Sequence, residues 1–243
     1  MTRSREVQGL LDQFVGLAGA NQVYGQMSHD RDTLRLAMET GTHPILESVA
    51  GKTFALFAYD YHKRSLPEGR TLLTPRTTLE FYSRSSGRSK VKTQDGQDIT
   101  IAGMTTPDGL EFGTGETREI DRLHEYKVSS HLGTVLRQMT HLTNVPMTRR
   151  NLRLIKASDQ DKAGRTLRGL LGDNDTTPVI VPYHYEVRYT VPENSALRGV
   201  TLPPNVIVDY LPIHSAVFGQ LIHAVAEETL AGNLIIPRGP RIL

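Results

Sequence analysis

Cysteine is absent from the 243 residues, which removes disulfides, thiolate zinc sites and cysteine nucleophiles together. It also leaves the redox compartment unmarked. No stretch approaches eighteen consecutive apolar residues, so no membrane-spanning helix and no membrane partner are expected. The opening residues, M-T-R-S-R-E-V-Q, are charged and run into an amphipathic segment, unlike the apolar core of a signal peptide. The G-x-S-x-G, H-E-x-x-H and dinucleotide-binding patterns are missing as well. So are internal repeats, low-complexity tracts and Gly/Ser linkers. One α+β domain over 1–243 is therefore expected, with a helical segment at about 1–41, a β-rich segment at about 52–116 and a mixed segment at about 117–243.

What is present starts with amphipathic helices. Val7, Leu10, Leu11, Phe14, Val15 and Ala18 recur at helical spacing, with Ser4 as cap and Gly19 as terminator. A second helix is expected from Ser28 to Gly41, with Asp30 and Asp32 in its first turn. Residues Thr53 to Tyr61 read as a strand buried on both faces, Pro67-Glu68-Gly69 as a turn, and Thr77 to Ser83 as another strand. Hairpins around Asp95-Gly96 and Pro107-Asp108-Gly109 would complete an antiparallel meander. From Thr117 to His141 the period reads as helical, and a further helix is expected from about Pro212 to Gly232 after a short strand at Val206 to Asp209.

The clearest single pattern is Val179 to Val191, V-I-V-P-Y-H-Y-E-V-R-Y-T-V. Val179, Val181, Tyr183, Tyr185, Val187, Tyr189 and Val191 fall on one face of an alternating strand. At about 3.3 Å per residue it would extend roughly 43 Å. Pro182 lacks a donor and belongs at a sheet edge, a bulge or a bend, so the segment reads as a long edge strand on which another chain could add. The closing run L-I-I-P-R-G-P-R-I-L, residues 234–243, is apolar and broken by proline.

Charge is local. The formal net charge is only +2, yet Arg149, Arg150, Arg153, Lys156, Lys162, Arg165 and Arg168 stand against Asp159 and Asp161 alone, leaving +5 within that segment and −3 elsewhere. Arg165 and Arg168 share a helix face, and the three preceding arginines suit a phosphate backbone. No aromatic residue lies between Arg149 and Arg168 to stack on a base. The segment is a candidate nucleic-acid or subunit contact.

Three chemical patterns compete with plainer explanations. Ala50-Gly51-Lys52-Thr53 resembles the end of a phosphate-binding loop, but the first required glycine position is Leu46. Asp121, His124 and His131 would share one side of a helix too widely spaced for a metal. Pro107-Asp108 followed by Glu125-x-Lys127 fits the pattern of the PD-(D/E)xK nucleases, in which paired carboxylates hold Mg²⁺ and the lysine steadies the attacking water. The pattern is short, its Pro-Asp-Gly reads as a hairpin turn, and Glu125 and Lys127 fall in the expected helix instead of the required core strand.

With no catalytic residue, metal ligand or cofactor assigned, the expectation is a non-enzymatic, self-associating structural protein of a virion or phage particle. Its partners would be copies of itself and other assembly components, in a soluble, intracellular or particle setting. The alternative is a nucleic-acid-binding or nucleic-acid-processing protein using the basic segment, with a metal-dependent nuclease as its enzymatic extreme. Placement decides between them: charge beside Asp108 and Glu125 would favour the nuclease.

Overall fold

A computed structural model describes residues 3–17, 23–24, 27, 31–41, 44–73, 88–92, 98–102, 108–113, 118–128, 179–180, 186–202 and 204–234. Among these, helices α1 (Arg5–Gly16), α2 (Arg31–Thr40), α3 (Pro44–Arg64) and α4 (Ser215–Ala231) accompany strands β1 (Arg70–Leu73), β2 (Arg88–Lys92), β3 (Asp98–Ala102), β4 (Gly109–Gly113), β5 (Arg118–Tyr126), β6 (Val179–Ile180), β7 (Glu186–Pro192) and β8 (Val206–Leu211). The main sheet runs β1-β4-β5-β7-β8, and β6 also pairs with β5. Its β1·β4 and β4·β5 pairs are antiparallel, whereas β5·β7 and β7·β8 are parallel. The fold is α+β on a mixed sheet.

Local chemistry explains most helix ends. Ser4 Oγ accepts the Val7 amide at 3.2 Å and opens α1. Gly41 and Gly232, at φ 70° and 74°, provide the left-handed residues that follow α2 and α4. Pro44 opens α3 with a φ already suited to helix. The turn expected at Pro67 to Gly69 forms, with the Arg70 amide bonded to Pro67 O at 3.2 Å, but it joins a helix to a strand.

Four expectations are corrected. Thr53 to Tyr61 is the interior of α3, not a strand. Its apolar residues surround the axis, so periodicity is blurred, although Phe54, Ala58 and His62 recur every four residues and all are buried. Asp108-Gly109 does not turn a hairpin, because β3 pairs with β2 while β4 belongs to the main sheet. Residues 118–126 form strand β5, not a helix, so the expected helix face of Asp121, His124 and His131 dissolves; His131 lies outside the described residues. The alternation had been hidden by charge on both faces, since Arg122 and His124 point toward a buried glutamate.

The fourth correction concerns the long strand. Along β5 the chain advances four residues from Arg118 to Arg122, while its partner advances seven from Val179 to Glu186, so β6 and β7 are not one regular strand. Moreover, β7 lies between β5 and β8 and has no open edge over Glu186–Pro192. Val187, Tyr189 and Val191 are core residues. Val181, Tyr183 and Tyr185 lie outside the described residues, as do Thr77–Ser83 and residues 235–243.

The helices pack around Phe14, Phe54, Phe57 and Phe218. Phe218 of α4 meets Phe54 and Phe57 of α3 edge-on, at centroid distances of 5.4 and 6.4 Å. The sheet's helix-facing side contributes Tyr126 and Leu211 to this core. The opposite side of β5, β7 and β8 buries Leu123, Val187, Tyr189, Val191 and Val206. Both sides of the central strands are thus removed from water, as parallel pairing generally requires.

Candidate active site

The β4·β5 register builds the site. Gly109 pairs with His124, so the next step of the ladder sets Asp108 opposite Glu125 on the side of the sheet away from the helices. Lys127 follows two residues later, projects to the same side, and extends the parallel ladder by donating its amide to Thr190 O at 2.9 Å. Asp108 Oδ2 accepts the Tyr126 amide at 2.8 Å and lies 3.8 Å from Lys127 Nζ, which in turn is 3.0 Å from Glu125 Oε2. The three residues of the nuclease-like pattern are therefore one cluster, with Glu-x-Lys at the end of a core strand. Pro107 lies outside the described residues.

Gly109 makes this approach possible. A Cβ there would meet Tyr126 Oη at 3.1 Å, His124 Cβ at 3.2 Å and Leu72 Cδ1 at 3.2 Å, so a side chain would crowd the helix-facing side of the β4·β5 pair where the chain leads into Asp108.

The electrostatics are those of a crowded acid pair. Burial, with the nearby Asp108 charge adding to it, raises Glu125 to about 7 even though Lys127 pulls the other way. Asp108 is also raised, again chiefly by burial. Each carboxyl acts on the other, so that the pair holds one proton between them up to about the Glu125 value. Burial lowers Lys127, but Glu125 and Asp108 outweigh it and keep the ammonium charged. Glu125 is only 6 % exposed. With the shared proton in place Lys127 balances the half-buried Asp108 carboxylate; once the proton leaves, the pair carries one negative charge more than Lys127 offsets, which suits a further cation.

The helix-facing side holds a second polar group that the sequence did not announce. Glu111, 2 % exposed, accepts from Arg70 Nε, from Arg122 Nη1 at 2.8 Å and from His124 Nε2 at 3.0 Å. Burial pushes its carboxyl up, but those donors outweigh the effect and hold it at about 2. His62 Nε2 of α3 shares a 2.7 Å hydrogen bond with Thr190 Oγ1, and its ring lies 4.8 Å from that of His124. Burial, then His124 and Arg188, lower His62 to about 3, so it is neutral at ordinary pH. Asp209 Oδ2 lies 3.9 Å from it and 3.7 Å from Arg188 Nη1; burial raises the Asp209 carboxyl, and Arg188 leads the charges that pull it back. This layer is charge-balanced and ties strands together.

The remaining candidates are placed as follows. Gly51-Lys52-Thr53 sits inside α3, far from a helix N-terminus, and has no phosphate cradle. The basic residues Arg149, Arg150, Arg153, Lys156, Lys162, Arg165 and Arg168 all lie outside the described residues. No described helix is long and apolar enough to cross a membrane. Compared with known protein families, with curated proteins and with solved structures, the chain gives no significant match.

Proposed function

We propose that the chain is a metal-dependent phosphodiesterase of nuclease type, with Asp108 and Glu125 as the cation-holding carboxylates and Lys127 as the charged donor beside them. The observation that carries this is the clustering of Asp108, Glu125 and Lys127 by the β4·β5 register. Among the described residues no three or more His, Asp or Glu side chains form a metal cage. Two carboxylates are nonetheless a usual protein contribution for Mg²⁺, which completes its octahedron with waters and substrate phosphate oxygens. The donor set is all oxygen and carries an excess of negative charge, which matches a hard divalent cation.

Such a cation, when bound, lowers the pKa of its water and neutralises charge on the phosphoryl oxygens. The chain's own residues divide the rest of the work. Glu125 releases to solvent the proton it shares with Asp108 and becomes a full anion. Lys127, kept cationic by its two neighbours, donates to the attacking water or to a phosphate oxygen and holds it in line. The Tyr126 amide, bonded to Oδ2 at 2.8 Å, fixes the Asp108 carboxylate in place.

Nucleic acid is favoured as substrate by the +5 charge of Arg149 to Arg168, which follows β5 in sequence. Support for a self-associating structural protein of a virion or phage particle is narrower, because Glu186–Pro192 offers no free edge. The full chain should cleave DNA or RNA with Mg²⁺ or Mn²⁺ and not with EDTA. Asp108→Asn and Lys127→Ala should each lower the rate by about a hundredfold or more while leaving the fold intact by circular dichroism. Cleavage that survives both changes, or that needs no metal, would remove the assignment.

A further inference from the structure

Beside this cluster stands Tyr189, whose ring packs in the core while its hydroxyl has no partner among the described residues. It pairs in parallel register with Glu125 across β5·β7 and therefore lies on the same side of the sheet. Its side chain is 0 % exposed, yet among the described residues no group pairs with its hydroxyl. A buried hydroxyl without a partner is costly, and native proteins rarely leave one unless something outside the chain completes it. The other buried polar atoms without partners, Thr53 Oγ1, His124 Nδ1, Tyr126 Oη and Asp209 Oδ2, belong to α3 or to the helix-facing side; Tyr189 Oη is on the carboxylate side.

We infer that Tyr189 is a further ligand-binding residue of the active site, its hydroxyl donating a hydrogen bond to a non-bridging oxygen of the phosphodiester held between Asp108, Glu125 and Lys127. The inference rests on the nuclease assignment and adds to it a neutral donor on β7, beyond the two strands that carry the acidic pair. Burial, and after it the charges of Glu125 and Asp108, push the phenol well above its ordinary range. Tyr189 therefore remains a donor throughout the working pH range and does not serve as a general acid. Its donor charge complements a phosphate oxygen, and the ring, packed in the core, fixes the hydroxyl with little entropy left to lose.

Tyr189→Phe keeps the ring and removes only the hydroxyl, which allows the role to be separated from packing. Three quantities are measured on the full chain: thermal unfolding in EDTA, single-turnover cleavage in Mg²⁺, and affinity in Ca²⁺ for fluorescent oligonucleotides of one sequence supplied as single- and double-stranded DNA and RNA. The variant should unfold at the same temperature as the wild type or higher, because an unpaired polar group has gone. It should bind the preferred oligonucleotide about tenfold more weakly and cleave it about ten- to a hundredfold more slowly. A lower unfolding temperature with unchanged binding would make the hydroxyl structural and overturn the inference. Unchanged binding and cleavage in an otherwise active protein would overturn it while leaving the nuclease assignment standing. A wild type that cleaves none of the four oligonucleotides would remove both.

Discussion

Glu125 is where the residue-scale argument is most exposed to test. Its carboxyl titrates at about 7 in the folded chain against an ordinary value of 4.5. Between those two values the folded state binds more protons than the unfolded state, so stability falls as pH rises from 4.5 through about 7 and is level above it. The loss amounts to as much as about 3 kcal/mol, at 1.36 kcal/mol per unit. Urea unfolding at pH 5 and pH 8 should show this loss in the wild type, and Glu125→Gln should largely remove it. Activity moves in the opposite sense. Cleavage needs the Glu125 anion, so kcat/KM should rise up to about tenfold per pH unit below about 7 and level off above it. A profile flat from pH 5.5 to 8.5 would take Glu125 out of the reacting groups. These residues were legible in the sequence as a spacing pattern, Asp108 with Glu125-x-Lys127. Their environment was not, because it depends on which strand lies opposite.

At the scale of elements, legibility followed the purity of the pattern. Helices α1, α2 and α4 carry one apolar stripe and visible caps, and β8 is a short apolar run before a helix; all were readable. Helix α3 and strand β5 were not. Apolar residues surround α3 and mimic a doubly buried strand, while β5 carries polar residues on both faces, of which one side belongs to the candidate site and the other to the Glu111 layer. The same layer gives an element-scale prediction. Glu111 of β4 receives Arg70 of β1 and both Arg122 and His124 of β5, so one carboxylate joins three strands. Glu111→Gln removes the one buried carboxylate that Arg70, Arg122 and His124 share, although Arg122 keeps Glu186 at 3.1 Å, and should cost about 3 kcal/mol in denaturant unfolding. Since its folded carboxyl sits at about 2 against an ordinary 4.5, the wild-type contribution is complete above 4.5 and is lost as pH falls through about 2. The wild-type advantage over Glu111→Gln should narrow accordingly in acid; an advantage unchanged from pH 7 down to pH 2 would place the stabilisation elsewhere.

For the whole molecule, the central strands β5 and β7 are largely buried on both faces, and the acidic pair lies where the antiparallel β4 meets them. The charge proposed as catalytic thus stands on the central strands of the sheet, whereas the phosphate-binding charge is proposed for the basic segment Arg149 to Arg168 of the sequence. Contacts of that kind are sequence-tolerant and steeply salt-dependent. Changing Arg149, Arg150 and Arg153 together should weaken binding about equally for all sequences and flatten the slope of log affinity against log salt by up to roughly three units. Salt-insensitive binding would assign recognition to other residues. The central claim, that Asp108 and Glu125 form a cation site, is tested most directly by calorimetric titration of Mn²⁺ into the full chain at pH 6.5 in two buffers of different ionisation enthalpy. The account predicts binding accompanied by release of about one proton, the one shared by the acid pair, with both the binding and the release abolished in Asp108→Asn. Mn²⁺ binding of equal affinity in that variant, or binding without proton release in the wild type, would contradict it.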